Sequence, residues 1–174
     1  MTHDTEQLFE ELAKAYPELM EKSRIAEHIG VDPGWSNIIR SLCKCIYNPL
    51  QQAKYCLAGA TAYHREDSGA YLNKCTQEVV TATEELPSIE QIKEKFGTLR
   101  FYYSGGNDRV ATLVAFAEAM SACTCETCGD VGKLDHAGWI KVCCAKHRRP
   151  DINEDLYGGV QDGTVSPKFQ DDEV

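Results

Sequence analysis

No stretch of the chain approaches the roughly 20 consecutive apolar residues that a membrane-spanning helix needs, so a soluble protein without a membrane partner is expected. Basic charge is scarce as well. Eighteen Lys and Arg stand against 27 Asp and Glu, a formal net charge of −9, the opposite of the balance with which proteins grip phosphate backbones broadly. The H-E-x-x-H, G-x-S-x-G, Walker and dinucleotide signatures are absent, so neither catalytic nor cofactor-binding residues are assigned. A basic, apolar leader is also missing after Met1. The expected compartment is therefore the cytoplasm, where the nine cysteines are thiols rather than bridges.

What the chain does have is a cysteine pair with demanding spacing. Cys125-Glu126-Thr127-Cys128-Gly129 is followed by Cys144-Ala145-Lys146-His147. Two thiolates two residues apart can close on one ion, and a C-x2-H step completes a tetrahedron, so Cys125, Cys128, Cys144 and His147 are the expected ligands of one Zn2+. Between the pairs, β-formers flank the turn chemistry of Ala137-Gly138, which predicts a hairpin and hence a zinc-ribbon or small treble-clef-like unit. The redox reading of C-x2-C is disfavoured because that motif opens a helix after a strand, whereas this one follows a predicted helix.

Neighbouring candidates are weighed against these four. Alternation along Trp139–Val142 carries Cys143 onto a buried face and leaves Cys144 to begin the ligand step. His136 falls at the hairpin tip and is expected to be an exposed loop histidine rather than a substitute for His147. Cys123 is too close to Cys125 for a good chelate and is expected to be a small buried hydrophobe, as are Cys43 and Cys45 on their helix. Four protein ligands leave no open position for water or substrate, so the site is expected to be structural.

The rest of the chain predicts an α+β fold, mainly helical. Leu8, Phe9, Leu12, Ala13 and Tyr16 recur at helical spacing, with a break at Pro17. Ser36 is the expected N-cap of a long helix carrying Ile39, Leu42, Cys43, Ile46 and Leu50 on one stripe, bent at Pro49 and ending near His64. Residues 65–69 are expected to form a loop, and Glu78–Thr83 is open between strand and helix end. Ser88 and Gln91 form a capping box ahead of Ile89, Ile92 and Phe96, with Gly97 as the stop, which predicts a short helix. Thr98–Ser104 alternates as a strand with Arg100 and Tyr102 on its polar face. Asn107 is the expected cap of a helix that turns Val110, Leu113, Val114, Ala117 and Met120 inward.

This organisation gives a helical body over residues 1–122, a zinc-binding hairpin module over 123–150 and an acidic tail over 151–174. The tail holds seven Asp and Glu against Lys168 alone, leaving only about −3 for the rest of the chain. Its sparse aliphatics predict little ordered structure beyond docking by Leu156 and Tyr157.

The stretch Ile89 to Gly106, with its Lys95-Phe96-Gly97-Thr98-Leu99-Arg100-Phe101-Tyr102 core, together with Ala117–Ser121, Cys125–Gly129, Gly138-Trp139-Ile140 and Cys144–His147, resembles a family of small proteins of tailed phages and prophages. Tyr16–Leu19 and Gly34-Trp35 to Leu42-Cys43 are similar to the same family's amino-terminal half. The resemblance implies a viral accessory protein in the bacterial cytoplasm, with the same four metal ligands and no implied activity. The leading functional expectation is a non-enzymatic protein that binds and modulates a bacterial host protein, such as a defence or replication component. The alternative is a nucleic-acid-binding regulator that uses the zinc hairpin. Candidate interaction residues are Arg100, Tyr102, Lys141, Lys146, Arg148 and Arg149.

Overall fold

The structure is a computed structural model and describes residues 3–23, 29–62, 69–136 and 138–148. It is mixed α+β. Helices α1 (His3–Ala15) and α2 (Pro17–Glu21) are separated at Tyr16-Pro17, because proline suits the first turn of a new helix and not the interior of the preceding one. Helix α3 (Ser36–Ala62) is the spine, packed on one side by α4 (Gly69–Glu84) and on another by α5 (Asp108–Ser121). Strands β1 (Ile29–Gly30), β2 (Ser88–Lys95) and β3 (Thr98–Ser104) form a sheet in that order, β1 parallel and β3 antiparallel to β2. A second, two-stranded sheet pairs β4 (Lys133–Asp135) with β5 (Lys141–Cys143).

One core joins the helices and the three-stranded sheet. Leu8 and Leu12 of α1, Leu19 of α2, the α3 stripe Ile39, Leu42, Cys43, Ile46 and Leu50, and Ile89, Ile92, Leu99 and Phe101 of the sheet are all buried in it. Full burial of an aliphatic side chain of this size stabilises by about 1.5–3 kcal/mol, so the helical stripe and the inner sheet face carry the body's stability. Among the described residues, no helix is long and apolar enough to cross a membrane.

The segment expected as a short helix after Ser88 is strand β2. Its apolar spacing has a different cause: the register shifts between Ile89 and Gln91, and the extra residue, Glu90, lets Ile89 and Ile92 face the core although they are three apart. A bulged strand thereby imitates helical spacing. Ser88 donates its hydroxyl to the Lys22 carbonyl instead of capping a helix. Phe96 and Gly97, both at positive φ (53° and 74°), make the two-residue connection to β3, so the glycine serves a hairpin rather than a helix stop.

Smaller departures follow from local chemistry. Ser36 has helical dihedrals and is not the cap, because a 3-10 turn over Pro33–Trp35 starts the helical run behind the extended Asp32. Glu78–Thr83 belongs to α4. Asn107 does cap α5, accepting from the Val110 N–H at 3.2 Å. Met120 is 40% exposed rather than inward, because Ser121, one position on, takes the buried place. That serine hydroxyl accepts from the Leu99 N–H at 2.9 Å and Glu118 from the Phe101 N–H at 3.0 Å, so α5 covers the free edge of β3. The expected loop at 65–69 lies outside the described residues except for Gly69, which begins α4. The acidic tail, with Leu156 and Tyr157, lies outside them entirely.

Candidate metal centre

The knuckle begins where α5 ends. Cys125 N–H donates to Asp130 at 2.8 Å, Gly129 N–H returns to Cys125 at 2.9 Å, and Thr124 bridges Val131, which folds residues 124–131 into a tight turn. The second pair of candidate ligands follows β5, where the N–H groups of His147 and Arg148 donate to the Cys144 carbonyl at 3.0 and 2.9 Å and curl the chain back. The four donor atoms of Cys125, Cys128, Cys144 and His147 consequently lie within 4.8 Å of one another. Cys128 Sγ is 3.6 Å from Cys144 Sγ, and His147 Nδ1 is 3.6 Å from Cys125 Sγ and 3.3 Å from Cys144 Sγ. Three thiols and an imidazole converging in this way can hold one metal ion. Cys125 and Cys144 form the buried side of the cluster and Cys128 and His147 the exposed side.

Protonation of the thiols is uneven. Burial opposes ionisation of Cys125, but N–H groups of Cys144, Cys128 and Thr127 and the His147 ring converge on its sulfur and bring it down to about 6. At Cys128 the Asp130 N–H favours the thiolate, yet desolvation and the adjoining Cys144 and Cys125 sulfurs push the thiol up to about 11. The converging N–H groups thus favour the thiolate form at the cluster's buried corner.

The adjacent cysteines and His136 stand apart from the cluster. Cys143 is buried on β5, where burial pushes its thiol up, and is not one of the four converging donors. His136 is exposed before the hairpin tip. Cys123 is exposed, contrary to expectation, with its sulfur 3.2 Å from the Met120 carbonyl, and Cys45 is likewise exposed on α3. Cys43 is fully buried, its thiol pushed up to about 12 by that burial.

Sequence reasoning missed the residues that fasten the knuckle to the body. Gly34 N–H donates to the Glu126 carbonyl at 2.7 Å, and the buried Trp35 indole donates to the Thr124 carbonyl at 2.8 Å. Glu126, between Cys125 and Cys128, is only 2% exposed. Its N–H donates to Val142 at 3.0 Å and its Oε1 accepts from the Val142 N–H at 3.2 Å, so one residue pairs the knuckle with β5 through both backbone and side chain. Burial pushes the Glu126 carboxyl up against the opposing pull of the Val142 N–H and Lys141. Lys141 completes the clasp at 2.9 Å from Asp32 and 3.6 Å from Glu126. A glutamate within C-E-T-C gives no hint of burial when read alone. The only available signal was the Asp32-Pro33-Gly34-Trp35 turn, whose tryptophan needs an acceptor for its N–H if buried.

Replacing Glu126 with Ala is expected to destabilise the protein by about 2–4 kcal/mol, since it leaves the Val142 N–H without its acceptor and empties a buried site. Glu126→Gln, which keeps an acceptor oxygen, should lose less than half as much. Denaturant melts of the two variants check this, and equal losses would contradict the role given to that acceptor.

The candidate interaction residues do not form one surface. Lys141 is occupied by Asp32 and Glu126, and Lys146 lies 3.8 Å from Asp130, which weakens the basic hairpin face. Arg148 is exposed and Arg149 lies outside the described residues. Arg100 and Tyr102 are on the sheet instead, with Lys93 as a cross-strand neighbour rather than on a preceding helix. Comparison with protein-family models, curated proteins and solved structures finds no match to the chain.

Proposed function

We propose that the chain is a zinc-stabilised, non-enzymatic phage accessory protein that acts in the bacterial cytoplasm by binding and modulating a host protein, such as a defence component. The observation that carries this reading is the closed donor set of Cys125, Cys128, Cys144 and His147. Three sulfurs and one nitrogen suit zinc. At Zn–S distances near 2.3 Å, tetrahedral geometry puts sulfurs about 3.8 Å apart, and the 3.6 Å between Cys128 and Cys144 is close to that spacing. With four protein ligands the ion has no position for substrate, so its contribution is to hold the knuckle and the β4–β5 hairpin as a zinc-ribbon-like unit. The phage and host-protein parts of the reading rest on the family resemblance and on the absence of catalytic signatures.

Zinc uptake should release protons. Cys128, whose thiol is pushed up to about 11, must lose its proton to coordinate, whereas Cys125, brought down to about 6, gives up far less of one at neutral pH. Apparent affinity is thus expected to rise about tenfold per pH unit or more between pH 7 and 8, and more steeply below about 6 where Cys125 also protonates. Competition titrations against a chelator of known affinity read this slope, and a pH-independent affinity would contradict thiolate ligation.

The host-protein reading is tested by affinity purification from bacteria expressing the chain, with nuclease treatment. Near-stoichiometric recovery of one nuclease-resistant host protein, lost when the same chain carries disrupting surface substitutions, supports it. Elution of the chain alone contradicts it.

A further inference from the structure

The outer face of the β1–β2–β3 sheet has a chemistry unlike the rest of this acidic chain. Strand alternation and register bring Lys93 opposite Arg100 and Gln91 opposite Tyr102, on the side away from Ile92 and Phe101. Like charges directly across a strand pair are destabilising unless something anionic lies between them. Among the described residues, no carboxylate forms an ion pair with Lys93, Lys95 or Arg100. The nearest acidic groups in the strand are Glu94, with one oxygen held by the Gly97 N–H at 2.6 Å, and Glu90, exposed on the bulge.

Aromatic rings interleave with these cations. Lys93 Nζ lies 4.9 Å from the Tyr102 ring centre and Lys95 Nζ 5.5 Å from that of Phe96. Phe96 is 68% exposed, although its positive φ is a conformation that costs a bulky residue of the order of 1 kcal/mol or more. Trp139, 66% exposed at the neighbouring hairpin tip, stands across a groove of about 460 Å³ that Lys93, Glu94, Lys95, Phe96 and Ile140 also line.

Arg100 donates to the Thr98 hydroxyl at 2.7 Å and the Leu99 carbonyl at 2.8 Å, neither of which neutralises its charge. From this juxtaposition of exposed rings with cations that no carboxylate neutralises we infer that the sheet face and its hairpin groove bind single-stranded nucleic acid. Lys93, Lys95 and Arg100 would meet phosphates, and Phe96, Trp139 and Tyr102 would offer their faces to unpaired bases. A duplex hides its base faces and is gripped through a broad basic surface, which a chain of net charge −9 lacks. An acidic polypeptide would satisfy the cations and leave the flat rings unused. The assignment goes beyond the host-protein reading and does not depend on it.

The test uses the full, metal-bearing chain and a fluorescent single-stranded oligonucleotide of about 15 nucleotides, as DNA and as RNA, read by anisotropy at about 50 and 200 mM salt. Binding is expected to weaken about tenfold between the two salts and to exceed binding of the matching duplex. Tryptophan emission should fall on binding through Trp139 alone, because Trp35 is buried and tied to Thr124. Lys93→Ala with Arg100→Ala should lose about tenfold in affinity and flatten the salt dependence, and Trp139→Ala about tenfold with loss of quenching. Both variants should melt with the parent; if Trp139→Ala does not, Lys95→Glu carries the same expected loss of about tenfold in affinity. No salt-dependent binding by the parent overturns the inference. So does unchanged binding by the Lys93/Arg100 variant, or binding of poly-glutamate through these residues with none of the oligonucleotides.

Discussion

Replacing Cys144 with Ser is expected to lower the melting temperature of the metal-bearing protein by more than about 10 °C, a loss of roughly 4 kcal/mol or more for a chain of this size. The effect is large because the ligand is structural in two senses. It holds the proposed zinc ion, whose binding free energy is folding free energy, and it closes β5 onto a knuckle that Gly34 and Trp35 fasten to the core. Cys125→Ser should behave alike. Cys43→Ser, a thiol-to-hydroxyl change at a fully buried site, should cost about 1–3 kcal/mol, and the exposed Cys56 nearly nothing. Thermal melts of the four variants check this ranking, and equal shifts across the set would mean that no ligand role separates these thiols.

Gly34→Ala should be nearly as damaging without touching a ligand. A Cβ at position 34 would overlap the carbonyl oxygens of Cys125 and Glu126 and lie 2.6 Å from the Glu126 carbonyl carbon, all of them backbone atoms that cannot rotate away. The knuckle would have to lift from the Pro33–Trp35 turn, breaking the Gly34–Glu126 and Trp35–Thr124 hydrogen bonds together. The expected loss is about 3–5 kcal/mol, with metal released at lower denaturant concentration than in the parent. Gly59→Ala, where a Cβ meets nothing, should be neutral or slightly stabilising in its helix. A Gly34→Ala protein that melts with the parent would refute the clamp.

Legibility followed the range of the interactions concerned. The stripe Ile39–Leu42–Ile46–Leu50 and the convergence of Cys125, Cys128, Cys144 and His147 depend on spacing within one segment, and spacing is what a sequence displays. β2 was misread because a bulge at Glu90 sets Ile89 and Ile92 three residues apart and counterfeits a helix, a distinction that only the pairing with β3 reveals. Gly34, Trp35, Asp32 and Glu126 escaped notice for another reason. Their partners lie some ninety residues away along the chain in most cases, and nothing local marks a glutamate between two cysteines as buried. The basic sheet face was half legible: Arg100 and Tyr102 stood out on the strand, but Lys93 joined them only once its segment became a strand.

The central claim, that these four side chains hold one structural zinc, is tested most directly by the metal content of the protein purified without added metal. Elemental analysis together with thiol mapping should find about one zinc per chain and Cys125, Cys128 and Cys144 as protected thiols that become reactive only on chelation. Less than about a quarter equivalent of any metal, with Cys125 and Cys128 joined in a disulfide, would contradict it.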